Sequence, residues 1–300
     1  MNYYSLNKYL KNTFGEKVYK ISLNGNMTCP NRDGTLGTKG CIFCSRGGSG
    51  EFAADSLLSI HEQIEQAKLR IRKKSDCKKF IAYFQPFTNT YAPTEYLEKI
   101  FTEAISEPDV VALSIATRPD CLGNDVLNLL KKLNKIKPVW VELGLQTIHE
   151  DTAEYIRRMY PLSVYDSAIE NLHKIGINVI THIILGLPNE SKEMMLESVK
   201  YVGDKTDGIK LQLLHILKDT DLCDEYELGK FDVLTIDEYI DILCDCVELL
   251  PENVVIHRLT GDGDKKILVA PMWSADKKRV LNSINREFEK RDITHGRKAK

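Results

Sequence analysis

Six short runs rich in β-branched and aromatic residues alternate with longer stretches of helical spacing, and this order constrains the fold of the chain most. The runs cover residues 18–23, 80–85, 110–116, 139–146, 178–185 and 208–216. Between them, Leu57, Ile60, Ile64, Ala67 and Ile71 form one apolar stripe at helical spacing. Leu97, Ile100, Phe101, Ala104 and Ile105 form a second, and Leu127, Leu130, Leu133 and Ile136 a third. Ser56 and Thr94 stand where helix N-caps belong, with Pro93 ahead of the second. Strand-then-helix units in series predict a parallel sheet wrapped by helices. The nearly continuous apolar run at 179–185 suits a strand buried on both faces. Six units fall short of the eight of a closed barrel, so the predicted fold class is α/β, a partial (β/α)6 TIM-type barrel. A further strand at 254–257 and a helix at about 274–291 flank it. No Pro/Gly/Ser-rich linker divides the chain, which reads as a core over 18–226 with extensions at 1–17 and 227–300.

Composition narrows the functional classes. Forty-one basic residues against 43 acidic give no global pull toward nucleic acid or anionic membrane. The first twenty residues lack an apolar signal core, and no apolar run approaches the ~18 residues of a membrane span. The sequence therefore predicts a soluble cytoplasmic protein. Charge is uneven locally: residues 68–79 hold seven basic residues and one acidic, and 277–300 hold nine and three. Residues 219–248 carry eleven acids against Lys230.

Eight cysteines are too few for a disulfide scaffold, and in a reducing compartment clustered cysteines point to metal or catalysis. Cys29, Cys41 and Cys44 share one glycine-rich loop directly after the first predicted strand, where such folds keep their active sites. Gly34, Gly37 and Gly40 let that loop curl. Three thiolates can hold an iron–sulfur cube with one iron open to a small molecule. A zinc site closed by His61 or a distant cysteine is the alternative. Cys77, Cys121, Cys223, Cys244 and Cys246 read as small buried side chains.

The loop followed by six strand–helix units resembles the radical S-adenosylmethionine superfamily. The eleven residues between Cys29 and Cys41 resemble the branch that contains the catalytic core of the Elongator third subunit. SIATRPD (114–120), VELGLQT (141–147), IRR (156–158, as part of a helix) and HIILGLP (182–188) are similar to later segments of that branch. KLQLLH (210–215) and HRLTG (257–261) are similar to a family of small bacterial members linked to wobble-uridine processing in tRNA.

The resemblance implies a [4Fe-4S] cluster on Cys29, Cys41 and Cys44, with S-adenosylmethionine on its open iron. It places Phe43 near the adenine, Gln146 and Arg158 on the cofactor with Arg158 at its carboxylate, and 182–186, including His182 and Gly186, along the ribose and adenine. The glycine-rich turn that usually holds the amino group is absent. Gln85, Thr88 and Asn89, or backbone carbonyls near them, take that task. Tyr83, His215 and Cys223 are the candidates for quenching a substrate radical. The implied partners are a flavodoxin- or ferredoxin-like electron donor and a tRNA substrate, with the basic runs 68–79 and 277–300 on its phosphates. The expected reaction converts a 5-carboxymethylaminomethyl wobble uridine to 5-aminomethyl. A radical oxidoreductase acting on a small metabolite or porphyrin-like molecule, and a non-catalytic zinc-stapled RNA-binding module, are the alternatives.

Overall fold

In the computed structural model, the strands are β1 (Val18–Leu23), β2 (Lys79–Phe84), β3 (Val110–Thr117), β4 (Val139–Gln146), β5 (Asn178–Leu185), β6 (Gly208–Leu213), β7 (Ile216–Leu217), β8 (Val255–Arg258) and β9 (Leu268–Ala270). The helices are α1 (Leu6–Phe14), α2 (Ile60–Arg72), α3 (Thr94–Ser106), α4 (Asn124–Asn134), α5 (Glu150–Tyr155), α6 (Leu162–Lys174), α7 (Lys192–Gly203), α8 (Asp221–Glu227), α9 (Ile236–Leu249) and α10 (Lys277–Lys290). The structure describes residues 3–48, 50, 53–261 and 263–299. Lys300, the last of the C-terminal basic run, lies outside them.

Seven parallel strands form one sheet in the order β1-β2-β3-β4-β5-β6-β8. Flat, β2 and β6 would lie ~19 Å apart at the usual strand spacing. Instead Lys210 of β6 donates to the Tyr83 hydroxyl of β2 at 3.2 Å, so the sheet is curled into a half-barrel. The expected partial barrel is observed, with the strand predicted at 254–257 added as its seventh member.

Strand alternation sorts the side chains. Outward residues such as Phe84, Leu113, Val141, Val179 and Leu211 pack under the helices, with Phe84 and Phe101 of α3 edge to face at 4.9 Å. Fully burying each such side chain is worth roughly 1.5–3 kcal/mol. At the deepest level inside the barrel, Val18, Ile81, Ala112, Trp140 and Ile180 meet Leu10 of α1. Ser5 bridges to Ile256, and α1 covers that end of the barrel.

Several local expectations are corrected. Ser59, not Ser56, caps α2, because only Ser59 has an acid three residues on, and Glu62 completes a capping box. Leu57 is left outside the helix, 91% exposed. Pro93 takes the N-cap position of α3, so Thr94 becomes helical and its hydroxyl donates to Asp125 at 2.5 Å. Helix α4 stops at Asn134, whose side chain accepts from Val139 N at 2.8 Å, and Ile136 stays exposed beyond it. The run 208–216 is broken after Leu213. Ile216 instead buries beside Ile42 and Leu222, and β7 pairs antiparallel with β9. Residues 156–158 follow α5 rather than belong to a helix, because Arg157 adopts a left-handed φ of 59°.

Candidate active site

The cysteine loop leaves β1 and is folded by its own polar groups. Arg32 N donates to Cys29 O at 2.8 Å and Cys44 N to Cys41 O at 3.0 Å, two tight turns that face the sulfurs together. Asn31 Nδ2 donates to Arg157 O at 2.8 Å and to Cys41 Sγ at 3.5 Å. Arg32 closes the loop by donating to the carbonyls of Cys44 and Ser45 at 2.8 and 2.6 Å. Gly40, at φ 77°, lies under that guanidinium, where a Cβ would stand 2.9 Å from Nε.

Cys29, Cys41 and Cys44 are partly exposed and line one cavity of about 250 Å³ at the C-terminal end of the strands. The same cavity is lined by Phe43, Gln85, Thr88, Gln146, Arg158 and His182, and by Tyr83 and His215. Thus most of the anticipated site residues converge. Three do not reach it. Asn89 is fully buried with its amide tied to Phe84 O at 3.2 Å and Ala116 O at 2.9 Å. Gly186 packs under Leu234, and Cys223 lies in the small core beside Ile42 and Leu222. His61, the possible fourth zinc ligand, sits on α2 with Nδ1 2.5 Å from Glu107. Among the described residues, no three His, Cys, Asp or Glu side chains form a ligand set for one metal ion.

The donors present suit an iron–sulfur cluster with a small ligand. Burial and the neighbouring Cys44 push the Cys41 thiol up to about 12, and a metal bound there would favour the thiolate. Gln146, at φ 74°, keeps a buried Oε1 without a partner among the described residues. That oxygen and the open side of the sulfur trio face one cavity, so a polar ligand there would meet both. The Arg158 guanidinium donates to Tyr160 O at 2.9 Å, Thr147 O at 2.6 Å and Glu150 at 3.0 Å. Three of its five N–H groups are therefore structural.

A polar tier lies deeper in the barrel; Tyr83 and His182 belong to it as anticipated site residues, and Lys20, Ser114 and Lys210 were not singled out in the sequence. Glu142 of β4 is 0% exposed. It accepts from Lys20 Nζ of β1 at 2.5 Å, Ser114 Oγ of β3 at 2.6 Å and Lys210 of β6, while His182 Nε2 of β5 lies at 2.8 Å. The Tyr83 ring is flanked by the ammonium groups of Lys20 and Lys210 at 4.5 and 4.6 Å. Burial opposes the Glu142 charge, but Lys20 and Lys210 prevail and hold the carboxyl well below its ordinary value. His182 is pushed down to about 4 by burial and by Lys210, so it is neutral. A visible signal existed: lysines stand inside otherwise apolar strands at VYKISL and GIKLQL.

Arg118 also lines the cavity, in a two-pronged pair with Asp120 at 2.9 and 2.7 Å. Part of each basic run is answered by acids. Lys68 is buried against Glu65, Glu107 and Asp109, while Arg291, Arg297 and Lys298 pair with Asp241, Asp245 and Glu248 of α9.

Comparison with known proteins agrees with this geometry. Residues 33–202 match the radical SAM superfamily and residues 206–290 a radical SAM C-terminal domain. The chain belongs to the radical SAM superfamily, whose members use a [4Fe-4S] cluster and S-adenosylmethionine. It is 46% identical over 296 residues to the Bacillus subtilis protein YtqA, covering 98% of this chain and 92% of that one. It is 27% identical over 168 residues to the tRNA uridine(34) acetyltransferase of Methanocaldococcus jannaschii, covering 55% of this chain and 30% of that protein. The Elp3 structure from Methanocaldococcus infernus shares the fold, with a TM-score of 0.68 at 19% identity over 93% of this chain and 64% of that one. Among the described residues, no helix is long and apolar enough to cross a membrane.

Proposed function

We propose that the protein is a radical oxidoreductase acting on the side chain of a tRNA wobble uridine, converting 5-carboxymethylaminomethyl to 5-aminomethyl. What carries the reading is one cavity that joins the three cysteines at its mouth to a buried cationic tier at its floor. The kinship to a tRNA uridine(34) acetyltransferase supplies the substrate class.

The bound cluster and S-adenosylmethionine supply a 5′-deoxyadenosyl radical, which removes a hydrogen atom from carbon. Gln146 and Phe43 orient the cofactor, Thr88 and Gln85 take its amino group, and the N–H groups left on Arg158 take its carboxylate. Loss of a hydrogen atom from the carbon between nitrogen and carboxylate, then of one electron to a flavodoxin- or ferredoxin-class carrier and of the nitrogen proton to water, leaves an imine. Water splits the imine into the aminomethyl group and glyoxylate. Tyr83 and His215 line the cavity and are the candidate hydrogen donors to a stray substrate radical. The barrel wall keeps bulk water from it.

Mass spectrometry of tRNA nucleosides from a deletion strain tests the reading. Accumulation of the 5-carboxymethylaminomethyl nucleoside with loss of the 5-aminomethyl product is expected. An unchanged nucleoside profile refutes it.

A further inference from the structure

Among the described residues, the charges on the cavity floor do not cancel. Lys20 alone neutralises Glu142, at 2.5 Å. Lys210, 4% exposed, is a second buried cation on the same carboxylate. His182 and His257 face this tier, and both are held neutral, chiefly by burial. A buried ammonium beyond what its carboxylate requires is costly, and it either loses its proton more easily, as burial makes Lys210 do, or is joined by a further anion. Lys210 has three N–H donors, and Glu142 and the Tyr83 hydroxyl take two.

We propose that the floor of the cavity is a receptor for a carboxylate of the substrate, gripped by Lys210. This rests on the wobble-uridine reading for the identity of that carboxylate, which is the one carried by the carboxymethylaminomethyl side chain. The receptor anchors the side chain by the end that is lost, so the carbon beside the nitrogen hangs between the floor and the mouth. It also separates substrate from product. The 5-aminomethyl product has no carboxylate, and its ammonium is repelled by the surplus positive charge.

Replacing Lys210 by Met leaves Glu142 with Lys20, Ser114 and His182, so no buried charge is orphaned and the variant folds. The test is calorimetric titration of the holoenzyme, loaded with cluster and S-adenosylmethionine but without reductant. The probes are 5-carboxymethylaminomethyluridine, its primary carboxamide, and N-acetylglycine, a carboxylate with neither base nor ribose. In the native protein the acid binds at least tenfold more tightly than the carboxamide. Lys210→Met cuts that preference to under threefold, and Lys210→Arg keeps it. Equal affinity for acid and carboxamide in the native protein overturns the receptor while leaving the wobble-uridine reading intact. Lys210-dependent binding of N-acetylglycine with neither nucleoside bound supports the receptor and overturns the wobble-uridine reading. No binding of any probe refutes both.

Discussion

Glu142→Gln tests the electrostatic account of the barrel interior. The carboxylate is fully buried, with Lys20 Nζ at 2.5 Å and Lys210 also in contact. At about 3 Å and an effective dielectric of about 20, one such attraction is about 5–6 kcal/mol. Part of that offsets desolvation, and removing one partner from a buried ion pair costs ~3–5 kcal/mol because the other charge is stranded. At roughly 2–4 °C per kcal/mol for a chain of this size, Tm falls by about 6–20 °C. Denaturant unfolding of Glu142→Gln, Lys210→Met and the double variant gives the coupling directly. The double variant regains ~2 kcal/mol or more over Glu142→Gln, because one of the two stranded ammonium groups is gone. Acid titration adds a sign. The folded value of Glu142 is depressed, so its contribution is complete above the unfolded value of about 4.3 and is lost as pH falls through the lower folded value. Glu142→Gln lacks that acid limb. A loss below ~1 kcal/mol, or a strictly additive double variant, refutes the reasoning.

Three shorter predictions follow. Cys29→Ala leaves two sulfurs for the cluster, so anaerobically reconstituted protein loses its iron and the absorbance of the cluster and forms no 5′-deoxyadenosine with reductant; retained cleavage contradicts the assignment. Burial, together with Lys20 and Arg258, pushes Lys210 down to about 7 against the pull of Glu142. An anion needs the ammonium form, so kcat/KM falls as pH rises through about 7, and Lys210→Arg removes that limb. Tyr83, His182 and His257 face the same tier, so a limb that survives in Lys210→Arg belongs to another group. Ser59→Ala breaks the capping box of α2 and costs ~1 kcal/mol of stability in denaturant unfolding, without altering cluster content.

Legibility from sequence followed the periodicities. Strands β1, β4 and β5 were readable to the residue, because continuous β-branched runs bounded by polar turns leave one solution. Boundaries failed where a cap decided them, as at Ser59, or where a tertiary contact outweighed local propensity, as when Ile216 turned into the small core. The cysteine trio was legible because a two-residue gap and a glycine-rich gap of eleven residues place its sulfurs on one loop. Asn89 and Gly186 were not separable from true lining residues, since a one-position turn of the backbone moves a side chain from cavity to wall. Tyr83 and His182 were named one by one, but their assembly with Lys20, Ser114, Glu142 and Lys210 into one polar tier was not legible. Its members come from six strands, and which charges oppose one another depends on the curl of the sheet, which no local window contains.

The apolar cap that α1 and Trp140 place over the far end of the barrel acts as an insulator. Field lines from the buried ammonium groups cannot spread through that end and leave through the mouth instead, where a low-dielectric wall concentrates them. A chain with a formal net charge of −2 thus presents a locally attractive opening to anions.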